Sequence, residues 1–190
     1  MSGPRRLSQA ISEGDGISVL VQVPTAEAAR AAEEQGAEGV VVVLHTEGIR
    51  DATALPVVWN GSLEDATDAD AVVVDIDRER DRLADLVDEV HSLGVECVIR
   101  VRDEDDLEHV LESVDPEILL LSAEEADKAE HHLDRLLDLL PDVPAGKLAI
   151  AELVAASRAD VAQLERAGVD AVLVTAGDIG PLVGDPPPEV

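Results

Sequence analysis

The sequence predicts an α/β fold, a minimal (β/α)8 TIM barrel with short or missing helices after strands 2, 3 and 8. Three observations predict it. Eight short apolar runs recur along the 190 residues, mostly continuous Val, Leu and Ile, which marks parallel strands buried on both faces. Helical patterns lie between them and stop at glycine or before proline. Near the C-terminus, Ala151–Val154, Ala159–Leu164 and Gly168–Val174 read as strand, capped helix, glycine turn and strand. Right-handed crossovers in series either close a barrel or build an open doubly wound sheet; the closed form is the expectation.

In chain order, residues 5–13 form a short helix placed to plug the barrel bottom, inside an N-terminal segment 1–16. The strands are expected at Ile17–Val23, Val40–Leu44, Pro56–Trp59, Ala71–Asp75, Val95–Val101, Ile118–Ser122, Leu148–Glu152 and Ala171–Thr175. Thr25 caps a helix whose small face is Ala28, Ala29, Ala31 and Ala32. Leu83, Leu86, Val87, Val90 and Leu93 fall at helical spacing and end at Gly94. Leu107, Val110, Leu111 and Val114 follow Asp103; Leu133, Leu136, Leu137 and Leu140 end before Pro141; Val161 and Leu164 follow Ser157 and end at Gly168. Only about a dozen residues join the second run to the third and the third to the fourth, the minimum for a parallel connection. One-turn helices or loops are expected there. The tail 179–190, with Gly180, Pro181, Gly184 and Pro186–Pro188, cannot form a full eighth helix. The whole chain, 1–190, is read as one barrel domain.

Aromatics are 1% of the chain, so the core is built from Val, Leu, Ile and Ala. Formal net charge is −28, from 42 acidic and 14 basic residues. Such an excess repels polyanions and argues against nucleic acid and anionic membrane as partners. The apolar runs exclude a disordered acidic protein. A surface adapted to high salt, a halophilic one, is the expectation, because counterions screen self-repulsion. A single cysteine, Cys97, forms no internal disulfide and sits in an apolar run, so it reads as a buried inert thiol. The start shows no signal-peptide pattern and no run reaches the roughly 20 apolar residues of a membrane span, so a cytoplasmic location is expected.

The run Gly94-Val95-Glu96-Cys97-Val98-Ile99-Arg100-Val101-Arg102-Asp103-Glu104-Asp105-Asp106-Leu107-Glu108 resembles the fifth strand and helix of the indole-3-glycerol phosphate synthase family, Gly-Met-Glu-x-Leu-Val-Glu-Val-His-Asp-Glu-x-Glu-Leu. Ala151–Val174 resembles its seventh strand, helix and eighth strand; Gln35–Glu47 resembles its second strand and Leu55–Val58 its third. The resemblance implies a lyase of tryptophan biosynthesis that closes an indole ring on a phosphorylated substrate, with lysines, glutamates and a glycine-lined phosphate site. Carried over by position, the first-strand Glu and Lys fall on about Leu20 and Gln22, and the third-strand Lys on Trp59 or Asn60. The fifth-strand Glu becomes Arg100, and the sixth-strand Asn pair becomes Ser122 and Ala123. Glu152 is kept, Leu153 and Val154 replace the following Ser and Gly, and Thr175 replaces the phosphate glycine. Ring closure needs a proton donor, and neither Gln22 nor Asn60 donates as an ammonium does. The sequence therefore predicts an inherited barrel without the lysine-dependent reaction.

Barrel chemistry sits at the C-terminal strand ends. Candidate catalytic residues there are Glu152, Glu47 and His45; candidate ligand or phosphate contacts are Arg100, Arg102, Ser122, Thr175 and Gly177. Arg100 and Glu152 point inward, either as an ion pair closing the mouth or as an anion-binding Arg oriented by a carboxylate. No metal site is expected, Asp75 and Asp77 being a remote candidate pair that more often caps the next helix. Adjacent His131 and His132 cannot share one helix face for chelation. No cofactor is implied. Three functions remain open: a divergent phospho-sugar lyase or isomerase; a non-catalytic barrel binding a metabolite, such as a phosphorylated small molecule, or a protein partner; and a relic that oligomerises with copies of itself to cover strand faces left bare by the missing helices.

Overall fold

The computed structural model describes residues 6–14, 16–44, 47–76, 80–123, 129–154, 156–175 and 177–183, with only the backbone of 129–131. Eight parallel strands close a barrel in sequence order: β1 (Ser18–Gln22), β2 (Gly39–Val42), β3 (Val57–Trp59), β4 (Ala71–Asp75), β5 (Glu96–Val101), β6 (Ile118–Leu121), β7 (Leu148–Leu153) and β8 (Ala171–Thr175). Closure is made by β8 on β1, paired from Ser18↔Ala171 to Gln22↔Thr175. The eight apolar runs thus correspond to eight strands, and an open sheet is excluded.

Strand alternation sorts the apolar residues into two cores. Leu20, Val41, Val58, Ala71, Val73, Val98, Ile118, Leu120, Ile150, Ala171 and Leu173 fill the barrel interior. Their outward neighbours, such as Val19, Val40, Val72, Ile99, Leu119 and Val172, pack against the helices. The interior holds no aromatic residue, and its lower end is filled by the helix Leu7–Ser12, whose Leu7 and Ile11 join the interior cluster. Gly39 makes room for that plug: a Cβ there would lie 2.8 Å from Leu20 and 3.5 Å from Leu7. The Glu96 carboxylate holds the plug in place by accepting the Leu7 N–H at 2.6 Å and the Ser8 hydroxyl.

The helices begin where the sequence places caps. Thr25 accepts from the Ala28 N–H before Ala26–Glu34, Asp103 from Asp106 before Glu104–Ser113, and Ser157 with Asp160 forms a reciprocal box before Arg158–Ala167. Gly168, at φ 97°, ends that last helix in a conformation that favours glycine. Two further helices, Leu83–Ser92 and Ala129–Leu139, cover the barrel between β4 and β5 and between β6 and β7. Chain direction does not break at Pro141, which sits inside a 3-10 turn, Leu140–Asp142, continuing the preceding helix.

The thin crossovers are thin, yet they are not bare. After β2 there is a four-residue helix, Ile49–Ala52, and after β3 a 3-10 turn, Leu63–Asp65. Arg50 ties the first to the Asp68 carbonyl at 2.8 Å and the Asp70 carboxylate at 2.5 Å. After β8 the segment Ile179–Val183 folds back, with the Ile179 N–H on Gln35 at 2.9 Å. The expectation of uncovered strand faces is corrected here. Val40, Val42, Val57, Trp59, Val172 and Val174 are all buried. Small pieces suffice because Trp59 covers its own strand, with its indole N–H on the Ser62 carbonyl, while Ile179, Leu182 and Val183 pack on the common core.

Candidate functional site

Two residues beyond the interior cluster, the same alternation places Gln22, Asn60, Asp75, Arg100, Ser122, Glu152 and Thr175 around the C-terminal mouth. Four of the mouth residues form one charged chain. Arg102 holds Asp75 with both terminal nitrogens, at 3.0 and 2.6 Å. Asp75 then faces Arg100 at 3.6 Å, and Arg100 reaches Glu152 at 3.3 Å. Positive and negative charges alternate along it and balance. The Arg102 end is tight and bidentate; the Arg100 end is long at both contacts.

The scaffold under this chain is ordered by further hydrogen bonds. The Arg102 N–H donates to Asp106 at 3.1 Å, and Asp106 in turn is capped by Asp103 and faces Arg80 at 3.7 Å. On the other side, buried His132 bonds through Nε2 to the Glu152 carbonyl at 3.1 Å. Sequence reasoning weighed His132 only for chelation and missed this contact. The signal was its spacing: His132, Leu136 and Leu139 recur on the buried helix face.

Arg100 is 6% exposed, and Ser122 is fully buried. Arg100 Nε, Ser122 Oγ and Glu152 Oε2 are shielded from solvent and have no hydrogen-bond partner among the described residues. Buried polar atoms are nearly always paired, so these three are the most unusual atoms in the mouth.

The other candidates lie outside the charged chain. Glu47 is exposed and lines a lateral cavity of about 260 Å³ with Arg50, Trp59, Asp65 and Asp68, outside the mouth ring. Thr175 and Gly177 are exposed at the end of β8, and Gly177 has open space around it. His45 and Asp77 lie outside the described residues, so the Asp75–Asp77 pair is not seen together. No group of three metal-ligating side chains occurs among the described residues, and the Asp75 carboxylate is held by Arg102. Lys147 is paired with Asp115 just before β7, at the opposite end from the mouth; Lys128 lies outside the described residues. Cys97 lines a second cavity of about 280 Å³ beside His91 and Pro116, and burial pushes its thiol up from 9.0 to about 12. No helix among the described residues is long and apolar enough to cross a membrane.

The sequence matches the family model for indole-3-glycerol phosphate synthase over residues 64–177, more than half of the chain. Among solved structures, an N-acetylmannosamine-6-phosphate 2-epimerase from Clostridium perfringens superposes with a TM-score of 0.67 at 15% identity, covering 86% of this chain and 88% of that one. A thiamine phosphate pyrophosphorylase from Pyrococcus furiosus gives 0.65 at 14%, covering 87% and 90%. A 3-hexulose-6-phosphate synthase gives 0.62 at 16%, covering 84% and 89%. At these identities the structural likeness establishes the barrel and nothing finer.

Proposed function

The chain belongs to the indole-3-glycerol phosphate synthase family, and from that premise we propose that it is a family barrel that binds a small metabolite at its mouth without lysine-dependent ring closure. One observation carries the reading. Glu152, the carboxylate that matches the family pattern, lies against the Arg100 guanidinium at 3.3 Å, and Arg100 stands where the family has a glutamate. The exchange turns two like charges into an ion pair. The positions matching the family's lysines are about Gln22 and either Trp59 or Asn60, and neither a neutral amide nor an indole gives up a proton to a leaving hydroxyl as an ammonium does.

The test is direct. Purified protein in high salt is given carboxyphenylamino-deoxyribulose phosphate, and indole formation is followed by its absorbance. The expected outcome is no product above the protein-free control. Steady turnover that disappears in Glu152→Gln would overturn the proposal and install the second reading, a divergent phospho-sugar lyase or isomerase. That second reading is favoured by one feature: Glu152 keeps an oxygen without an aligned donor, which a proton-accepting base requires.

A further inference from the structure

The two shortest connections of the barrel follow β2 and β3. A one-turn helix, Ile49–Ala52, and a 3-10 turn, Leu63–Asp65, stand where a regular barrel has a full helix after each strand. These pieces bury the two strands but do not fill the space between themselves. A cavity of about 260 Å³ remains on the outer side of the barrel, away from the mouth ring. Its floor includes Val42, Val57 and Trp59, all buried. Its rim carries Glu47, Asp65 and Asp68, all exposed. The three rim carboxylates have no ion pair and no side-chain hydrogen bond among the described residues. Arg50 also lines the cavity, but its guanidinium is committed. It donates to the Asp68 carbonyl at 2.8 Å and pairs with Asp70 at 2.5 Å, so its charge is matched by a carboxylate outside the rim. Trp59 has spent its indole N–H on the Ser62 carbonyl at 2.7 Å, so it offers the cavity ring surface and no donor.

This combination of floor and rim selects among occupants. An anion meets three unmatched carboxylates and is repelled. A neutral apolar molecule uses the floor and leaves the rim charges idle. A compact metal ion needs ligands that converge on one point, and no group of three His, Cys, Asp or Glu side chains among the described residues does so. A cation whose charge is spread over an apolar body needs no such convergence. Its methyl groups rest on Val42, Val57 and Trp59, whose indole is the side chain that attracts cations most strongly, and the rim carboxylates balance its charge. We propose that this cavity between the second and third connections is a binding site for a small organic cation, a quaternary or methylated ammonium compound. Trp59 is its floor, and Glu47, Asp65 and Asp68 are its counter-charge. The site is separate from the mouth and stands independently of what binds there.

Trp59 is the sole tryptophan and the chain has no tyrosine, so intrinsic fluorescence reads this cavity directly. In the experiment, choline chloride replaces potassium chloride stepwise on the whole chain, at constant high ionic strength, while the Trp59 emission is followed. The same titration is run with dimethylbutanol, the uncharged isostere of choline, and with magnesium chloride at matched ionic strength. A saturable change with choline is expected, with none from the alcohol or from magnesium. Glu47→Gln combined with Asp65→Asn alters two exposed side chains, so the fold should hold, as a thermal melt will check. That double variant should weaken choline about fivefold, the effect of two exposed charge contacts. The absence of a saturable change in folded protein overturns the proposal. So does an equal response to dimethylbutanol, which makes the cavity merely apolar, or to magnesium, which makes it a metal site. Choline binding that ignores the double variant overturns it too. Indole turnover in the separate assay bears on the mouth alone and leaves this titration to stand or fall by itself.

Discussion

The two ends of this barrel are both closed, by opposite physics. At the N-terminal end, Leu7 and Ile11 of a short helix enter the interior and meet Leu20, Ile118 and Ile150. The packing inside that closure is apolar, non-directional and proportional to the area removed from water, with Glu96 fixing the start of the helix from outside it. At the C-terminal end, Arg102, Asp75, Arg100 and Glu152 form a chain of alternating charge, whose worth depends on angles, partners and desolvation. An apolar plug can only be lost or kept. A polar one can be exchanged for something of matching chemistry, and that is the physical ground for proposing the mouth, and not the base, as the binding end.

The largest effect should come from the base. Leu7→Ala removes a fully buried side chain from the plug, and a loss of about 3 kcal/mol is expected in urea denaturation at constant salt. A loss below about 1 kcal/mol would mean that the interior stays closed without the helix, and the contrast between the ends would disappear.

A smaller loss is expected at the mouth, and it should be recoverable. Arg100→Met strands Glu152 and should destabilise by about 2 kcal/mol, below the roughly 3–5 kcal/mol of a fully buried pair because Glu152 and Asp75 keep some solvent. Adding Glu152→Leu should restore most of that stability, since a buried ion pair and a well-packed apolar pair are often equivalent. A double variant no better than Arg100→Met alone would show that the mouth tolerates no exchange of closures.

The smallest effect concerns Cys97 on β5. Folding raises the Cys97 thiol from 9.0 to about 12 through burial, so above pH 9 the unfolded chain releases a proton that the folded chain keeps. The unfolded state then binds fewer protons, and stability contributed by this group falls as pH rises from 9 toward 12. Cys97→Ala should flatten that slope in urea melts across the range, and native protein at pH 8 should resist thiol reagents that label it promptly in urea. A slope unchanged by the substitution would assign the pH dependence to other groups.

Much of this architecture is legible residue by residue. Continuous runs such as Val72–Val74 and Leu119–Leu121 announce strands buried on both sides, and Thr25, Asp103 and Ser157 announce helix starts because their side chains serve the next exposed N–H groups. The Arg100–Glu152 pair is legible as well, once both are placed at inward strand ends. The bidentate Arg102–Asp75 pair is not, because it joins residues on neighbouring strands whose approach depends on barrel stagger. Nor is the cover that Ile179, Leu182 and Val183 lay over the core, since a stretch rich in glycine and proline has no periodicity to read.

By itself, then, the sequence determined the number of strands, their parallel order, the helix starts and which side chains alternate inward, because each follows from local periodicity and from caps within a few residues. Only the tertiary structure decided which of the mouth charges meet, which stay unpaired, and that thin connections still cover their strands. Those outcomes depend on distances between residues far apart in the chain, and curvature and stagger of the closed sheet set such distances.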